Sequence, residues 1–288
     1  MAELASRSVL HTWLHAQSTG ARQVWAVVDG SAELSQATRR ALDRCGPSIN
    51  LLSHRTRDEA ALAVAPRLIG VSATHLPTVV ERLWLEQPAD EPAVFFVAAG
   101  QDNSDLEAAL RPCVSAELPD GEVMLFRWWD ARIWWAIQQL RPDAHPDAVR
   151  LTSLFAASLA LARDGVPHQG NHPSQEQSNP FDSDLLKLTQ PTYNRLLELG
   201  EADAVLGLCR AEYPDALHTV APEQRHALAC QQIDWAVDAG FSAPHDHALA
   251  VRIAAELGTD WLQQPEWLEV ITKAQTEGRT LLAAVEAM

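Results

Sequence analysis

Cationic side chains are scarce in this sequence: 22 Lys and Arg stand against 38 Asp and Glu in 288 residues, a formal net charge of -16. A surface of that sign repels a phosphate backbone instead of releasing its counterions, and it disfavours anionic membranes. The expectation is no nucleic-acid partner and no membrane partner, whereas a basic protein segment would be steered in. Cysteine is sparse too. Cys45, Cys113, Cys209 and Cys230 lie far apart without a CxxC pair and sit among apolar neighbours, which predicts reduced core thiols and not a disulfide framework. The start "MAELASRSVLHTWLHAQ" lacks a charged segment followed by an apolar run, so it does not read as a secretory signal. The longest apolar run, "LFAASLALA", is about half of the roughly 20 residues that a membrane span requires. These absences predict a soluble, cytoplasmic protein.

Recognisable catalytic loops are missing as well. The sequence has no GxSxG, Walker-type, GxGxxG or HExxH motif, and "VVDGSAEL" after the first expected strand has a single glycine, too few to cradle a phosphate. His245 and His247 in "PHDH" are two residues apart and point to different sides of a helix, so they do not converge on a metal as an i, i+4 pair would. They read as an exposed helix N-terminus, with Pro244 and Asp246 in favourable first-turn positions. No metal, no cofactor and no catalytic residue is expected.

What is present is a two-part pattern. Between residues 23 and 128, short β-branched or aromatic runs alternate with helical stretches, the signature of an α/β or α+β lobe with a small mixed sheet flanked by helices. The expected strands are "QVWAVVD", "SINLLS", "RLIGVS", "AVFFVAA" and "EVMLFRWW". An N-terminal helix precedes them, and further helices fall on "SAELSQATRRALDRC", capped by Ser31, on "HLPTVVERLWLEQ" and on "NSDLEAALRPC". The stretch "SLFAASLALARDGVPHQG" fits a hairpin turned at Asp-Gly or a helix, and periodicity leaves both open. The Pro-, Gly- and Ser-rich piece after it reads as a linker, giving an N-terminal domain over 1–163, a linker over 164–181 and an all-α lobe over 182–288. In that lobe, Ala227, Cys230, Ile233 and Val237 fall on one face of an expected helix, and Leu228 and Trp235 form a second stripe that a neighbouring helix or a partner could cover.

The densest stretch is "LPDGEVMLFRWWDARIWWAIQQL", with four of the ten tryptophans. "LPDG" predicts a turn, "EVMLFRWW" a strand, and Asp130 then caps the helix "ARIWWAIQQL". Arg127 and Arg132 flank that carboxylate, and either could pair with it and fix the angle between strand and helix. Asp29, at the C-terminal end of the first strand, is where active sites of open sheets gather, although Asp before Gly is also a turn former. Asp29, Arg127, Asp130 and Arg132 are therefore assigned to a structural junction. Adjacent members of the doublets Trp128–Trp129 and Trp134–Trp135 point in different directions on a strand or helix, so not all four can face one core. Trp128, Trp129, Trp134, Trp135, Leu228 and Trp235 are the expected partner-binding residues.

Taken in order, "WAVVDGSA", "INLLSHRTRDEAALAVAPRLIGVS" and "LEAALRPCVSAELPDGEVMLFRWWDARI" resemble the N-terminal domain of the type VI secretion effector adaptor chaperones, a family labelled as a domain of unknown function and typically encoded beside the VgrG spike. The likeness covers residues 23 to 135. It rests on a strand ending in Asp-Gly, on Ala65, Pro66, Arg67 and Leu68, and on the block Asp120, Gly121, Phe126, Arg127, Trp128, Trp129, Asp130, Ala131 and Arg132. Ala131 stands where the family pattern has proline. "WAVDAGF…ELGTDWLQQPEWLEVI" also looks like the helical half of such proteins. The resemblance implies a non-enzymatic cytoplasmic adaptor that binds a specific effector, stabilises it and helps load it onto the VgrG or PAAR tip. Two alternatives stay open: a small-molecule enzyme using Asp29 and the Arg127, Asp130, Arg132 group under a helical lid, and an interaction scaffold outside secretion.

Overall fold

A computed structural model describes residues 2–19, 22–32, 34–46, 48–100, 103–141, 143–172 and 185–287. The chain forms two compact units, the first comprising Met1–Ala162 with Val166–Glu198 and the second Arg163–Gly165 with Leu199–Met288. In the first unit the elements run α1 (Ala2–Ser18), β1 (Gln23–Val28), α2 (Gln36–Leu42), β2 (Ser48–Asn50), α3 (Glu59–Ala63), β3 (Arg67–Val71), α4 (Thr78–Glu86), β4 (Val94–Ala99) and α5 (Asn103–Leu110). There follow β5 (Ser115–Glu117), β6 (Val123–Leu125), α6 (Ala131–Gln138), α7 (Pro146–Thr152), β7 (Ala157–Leu161), β8 (Pro167–Asn171), β9 (Leu186–Lys187) and α8 (Gln190–Glu212), within which the division between units falls. The second unit continues with α9 (Pro222–Asp238), α10 (Pro244–Leu257), α11 (Pro265–Glu277) and α12 (Leu281–Val285).

Among the described residues, one sheet has the order β2-β3-β1-β4-β7-β8 with every pairing antiparallel, and a second has the order β6-β5-β9, antiparallel on one side and parallel on the other. β1 and β4 lie at the centre of the larger sheet and are apolar on both faces, as strands covered on two sides must be. Val24, Ala26 and Val28 alternate with Trp25 and Val27, so the first set meets Leu10, Trp13 and Leu14 of α1 and Trp84 of α4 in one cluster. Trp84 meets the Phe96 ring edge-on at 5.5 Å. Phe95, the neighbour of Phe96, faces the other way and stacks on Trp134 of α6 at 5.1 Å. Burial of rings of this size on both faces contributes roughly 1.5–3 kcal/mol per side chain.

Several elements depart from the sequence expectation. α2 is capped by Ser35, whose side chain accepts from the Thr38 N–H, and begins later than Ser31; Ser31 is occupied by Asp29 instead. Residues 157–171 form the hairpin β7–β8, so part of the expected linker is strand; the Ala162 N–H donates to the Val166 carbonyl and Gly165 supplies a φ of +75° in the turn. Residues 173–181 of the linker lie outside the described residues. β9 is a strand in the stretch expected to be all-α, too short to show a period. The expected strand "EVMLFRWW" ends at Leu125, because the Trp128 N–H turns back to the Phe126 carbonyl and the Asp130 N–H to that of Arg127.

In the second unit, α9 buries Ala229, Gln232, Ile233 and Ala236, one helical stripe. Ala227 and Val237 are exposed, so the expected face was rotated by about one position. Trp261 is fully buried and donates its indole N–H to Gln232 Oε1 at 3.1 Å, which gives the amide oxygen of the one polar side chain in that stripe a donor. The "PHDH" segment opens α10 with Pro244 and His245 exposed, whereas its second half turns inward. His247 is buried and bonds the Phe241 carbonyl at 2.9 Å, and buried Asp246 accepts from the Leu282 N–H at 3.0 Å, tying α10 to α12.

The hairpin carries a titration signature. His172 follows β8, lies within 3.0 Å of Ser158 Oγ and meets the Trp134 ring edge-on; burial lowers its pKa to about 4 from 6.5. Between those values the unfolded chain binds the proton and the folded one does not, so stability rises with pH across the window. Denaturant melts should show stability falling on acidification from pH 6.5 towards 4, and His172→Gln should flatten that fall. A variant curve parallel to the wild type would refute the assignment.

Candidate partner-binding site

The residues that gather most chemistry come from three separate segments of the first unit. β1 delivers Asp29 just past its end, where the Asp29 N–H donates to the Ala93 carbonyl ahead of β4. The Asp29 carboxylate is buried and accepts from the Ser31 N–H at 2.9 Å, from Ser31 Oγ at 2.7 Å and from Arg127 Nη2 at 2.8 Å. Gly30 is required next to it by close approach, since a Cβ there would fall 2.4 Å from the Ala65 carbonyl oxygen and 2.6 Å from that of Val64. The Asp-Gly turn and the Ala65-Pro66 segment thus interlock. Arg39 of α2 holds the same loop, donating to the carbonyls of Gly30 at 2.6 Å, Ala32 at 3.2 Å and Leu34 at 3.2 Å.

The second carboxylate is Asp130. It caps α6 by accepting from the Arg132 N–H at 3.0 Å, and it takes the fork of the Arg132 guanidinium at 3.0 and 2.8 Å. Arg127 stands between the two acids, 2.8 Å from Asp29 Oδ2 and 3.6 Å from Asp130 Oδ2. The four charges alternate along one chain, Asp29–Arg127–Asp130–Arg132, and sum to zero. Burial pushes the Asp130 carboxyl up, but the Arg132 hydrogen bonds and charge, with Arg127 behind them, outweigh it and hold the carboxyl below its ordinary value.

This group lines one wall of a cleft of about 580 Å³, which Leu34, Ser35 and Thr38 of the α2 region and Glu86, Gln87 and Glu91 after α4 complete. The cleft is polar. Its carboxylates are already engaged by fixed donors, and among the described residues Arg127 reaches Asp29 and Ser31 through Nη2 with its side chain 40% exposed. Such an arrangement is suited to holding the angle between β1 and α6. Proton transfer would require one of the acids to give up its donors.

The expected partner-binding residues fall elsewhere. Trp128, Trp129 and Trp134 are buried, and this corrects the expectation that their rings form a surface. The reasoning from alternation fails because the backbone turns twice between Phe126 and Asp130, which lets both members of the first doublet face inward with ring planes 74° apart. Trp128 and Trp134 then pack with Phe155 at 6.0 and 5.6 Å. Trp135 is half-buried. In the second unit, Leu228 and Trp235 are half-buried and pack against the cluster around Trp261, with Trp235 and Trp261 edge-on at 5.0 Å, so this stripe belongs to the fringe of a core. Arg39 went unnoticed in the sequence because its partners are carbonyls, which carry no side-chain signal; the helical spacing of "SQATRRAL" was the only hint.

Residues 24–145 match the model of a domain of unknown function, DUF4123. DUF4123 is associated with type VI secretion effector adaptors. The match runs from β1 through α6, so it takes in Asp29, Arg127, Asp130, Arg132 and the cleft, and it ends ahead of the second unit. No curated protein and no solved structure matches the chain.

If Arg127, Asp130 and Arg132 set the junction of the segment that matches DUF4123, Asp130→Ala should cost about 2–4 kcal/mol in denaturant melts, from the lost cap and the lost fork to Arg132. Asp130→Asn, which keeps an acceptor at the cap, should cost less. Because the Asp130 carboxyl titrates low, the gap between wild type and the Asn variant should be full above about pH 4 and shrink as pH falls through the folded value. A gap unchanged with pH, or a loss under about 0.5 kcal/mol for the Ala variant, would contradict the role.

Proposed function

We propose that this chain is a cytoplasmic adaptor that binds a cognate type VI secretion effector, stabilises it, and promotes its loading onto the VgrG or PAAR spike. The observation that carries the reading is the DUF4123 match over 24–145, which takes in the residue pattern that resembles the same adaptors. The rest of the molecule is consistent with a binding role. Its charged group is neutral, internally paired and placed at a junction, the arrangement expected of a part that keeps a surface in shape. No helix among the described residues is long and apolar enough to cross a membrane. An overall charge of -16 favours a partner with basic character and speeds its encounter.

A second reading has one observation behind it. The cleft beside Asp29 and Asp130 has the volume of a small-molecule site and joins the very carboxylates an enzyme would use. Against it stands the saturation of both acids by fixed donors, which leaves neither poised to move a proton.

Co-expression with the product of the neighbouring effector gene separates the two. The adaptor reading expects a complex that survives size-exclusion chromatography, and a several-fold fall in the effector's level and delivery when this chain is deleted. Absence of a complex, with the effector's level and delivery unchanged, would end it. Turnover of a metabolite by the isolated chain, lost in a folded Asp29→Asn variant, would establish the enzyme instead.

A further inference from the structure

We propose that the outer edge of β6 is the docking strand for the cargo, and that it takes an extended, basic segment of the effector by adding it to the β6-β5-β9 sheet. Among the described residues, β6 lies at the end of that sheet and pairs with β5 alone. The ladder's parity follows from its two flanking bonds, Leu118 N–H to the Glu122 carbonyl at 2.7 Å and Phe126 N–H to the Val114 carbonyl at 3.1 Å. Antiparallel bonding alternates by two, so Met124 exchanges bonds with Ala116, and Val123 and Leu125 aim their N–H and C=O groups away from β5. Two donors and two acceptors thus stand in strand geometry along an open edge.

The side chains agree with the backbone. Val123, Met124 and Leu125 are 56%, 45% and 45% exposed, three large apolar residues in succession, whereas the other exposed large apolar side chains among the described residues stand singly. Open edges are ordinarily blunted by a charge, a proline or a bulge within the strand. β6 is short, which limits what it can pair with, but it has no charge, proline or bulge over its three residues. An apolar edge of this kind is a liability unless something covers it, and an edge with alternating outward N–H and C=O groups is covered best by another strand.

Charge selects the occupant. Asp120 and Glu122 are exposed beside the entry to β6, and the chain as a whole carries -16. A second copy of the same chain would bring another -16 to the edge, so self-pairing is opposed. A segment with alternating apolar residues and a Lys or Arg set against Asp120 and Glu122 meets the backbone, the apolar side chains and the charge at once.

This inference rests on the adaptor reading, and its test is arranged so that the two fail differently. Val123→Pro with Leu125→Pro removes two outward N–H groups that the β5 ladder does not use, a placement that edge strands tolerate. Titrated with the full-length effector encoded beside this chain, the double variant should bind at least tenfold more weakly than wild type, and Val123→Thr with Leu125→Thr, which keeps both N–H groups, should lose less. Amide exchange on the wild-type complex should show Val123 and Leu125 protected, a readout that stands even if the proline variant fails to fold. Wild-type affinity in a folded proline variant, or unprotected amides in the complex, would overturn the edge while leaving the adaptor intact. A wild-type dimer that the proline pair dissolves would make a second copy the occupant and overturn it too. Failure of the wild-type chain to bind the effector at all would remove both readings together.

Discussion

The first unit depends on a single shared guanidinium. Arg127 lies between two buried carboxylates, the distant Asp29 at the end of β1 and the neighbouring Asp130 at the start of α6. Two buried acids without a cation between them would repel each other and pay for lost hydration. With Arg127 and Arg132 in place, each acid is satisfied, and the helix α6 is fixed where Trp134 can stack on Phe95 of the central strand β4. The apolar core and the ionic chain therefore set the same geometry from two sides.

That arrangement bears on how the molecule works. A neutral charge network whose two acids are engaged by fixed donors holds a loop and a helix at a fixed angle, which suits the proposed adaptor role. The cleft beside it and the open β6 edge are adjacent along the chain, separated only by the turn from Phe126 to Asp130. Rigid support thus passes directly into the proposed docking edge, within the segment that matches DUF4123.

Much of this was readable from residues. The apolar runs of β1 and β4 marked them as strands, and Asp130 followed by a helical pattern announced a cap; both describe short-range physics that the sequence encodes locally. The partnership of Arg127 with Asp29 spans 98 positions, and the local pattern offered Arg127 only its neighbour Asp130. The tryptophan doublets misled because alternation assumes a continuing strand, and two backbone turns after Leu125 break that assumption. The hairpin β7–β8 was ambiguous because Ala and Leu fit either a helix or a strand, and only pairing with β4 decides it. The second unit hid its buried stripe for a related reason: Gln232 is a polar residue in a core, visible only once Trp261 is placed beside it.

The measurement closest to the centre of this account is a double-mutant cycle on Asp29 and Arg127, read as unfolding free energy and, in parallel, as effector affinity. The account predicts a coupling of about 1–3 kcal/mol in stability, with affinity retained in every variant that remains folded. Coupling near zero in stability, or affinity lost in folded variants out of proportion to stability, would show that the pair serves binding or chemistry directly and does not hold the frame.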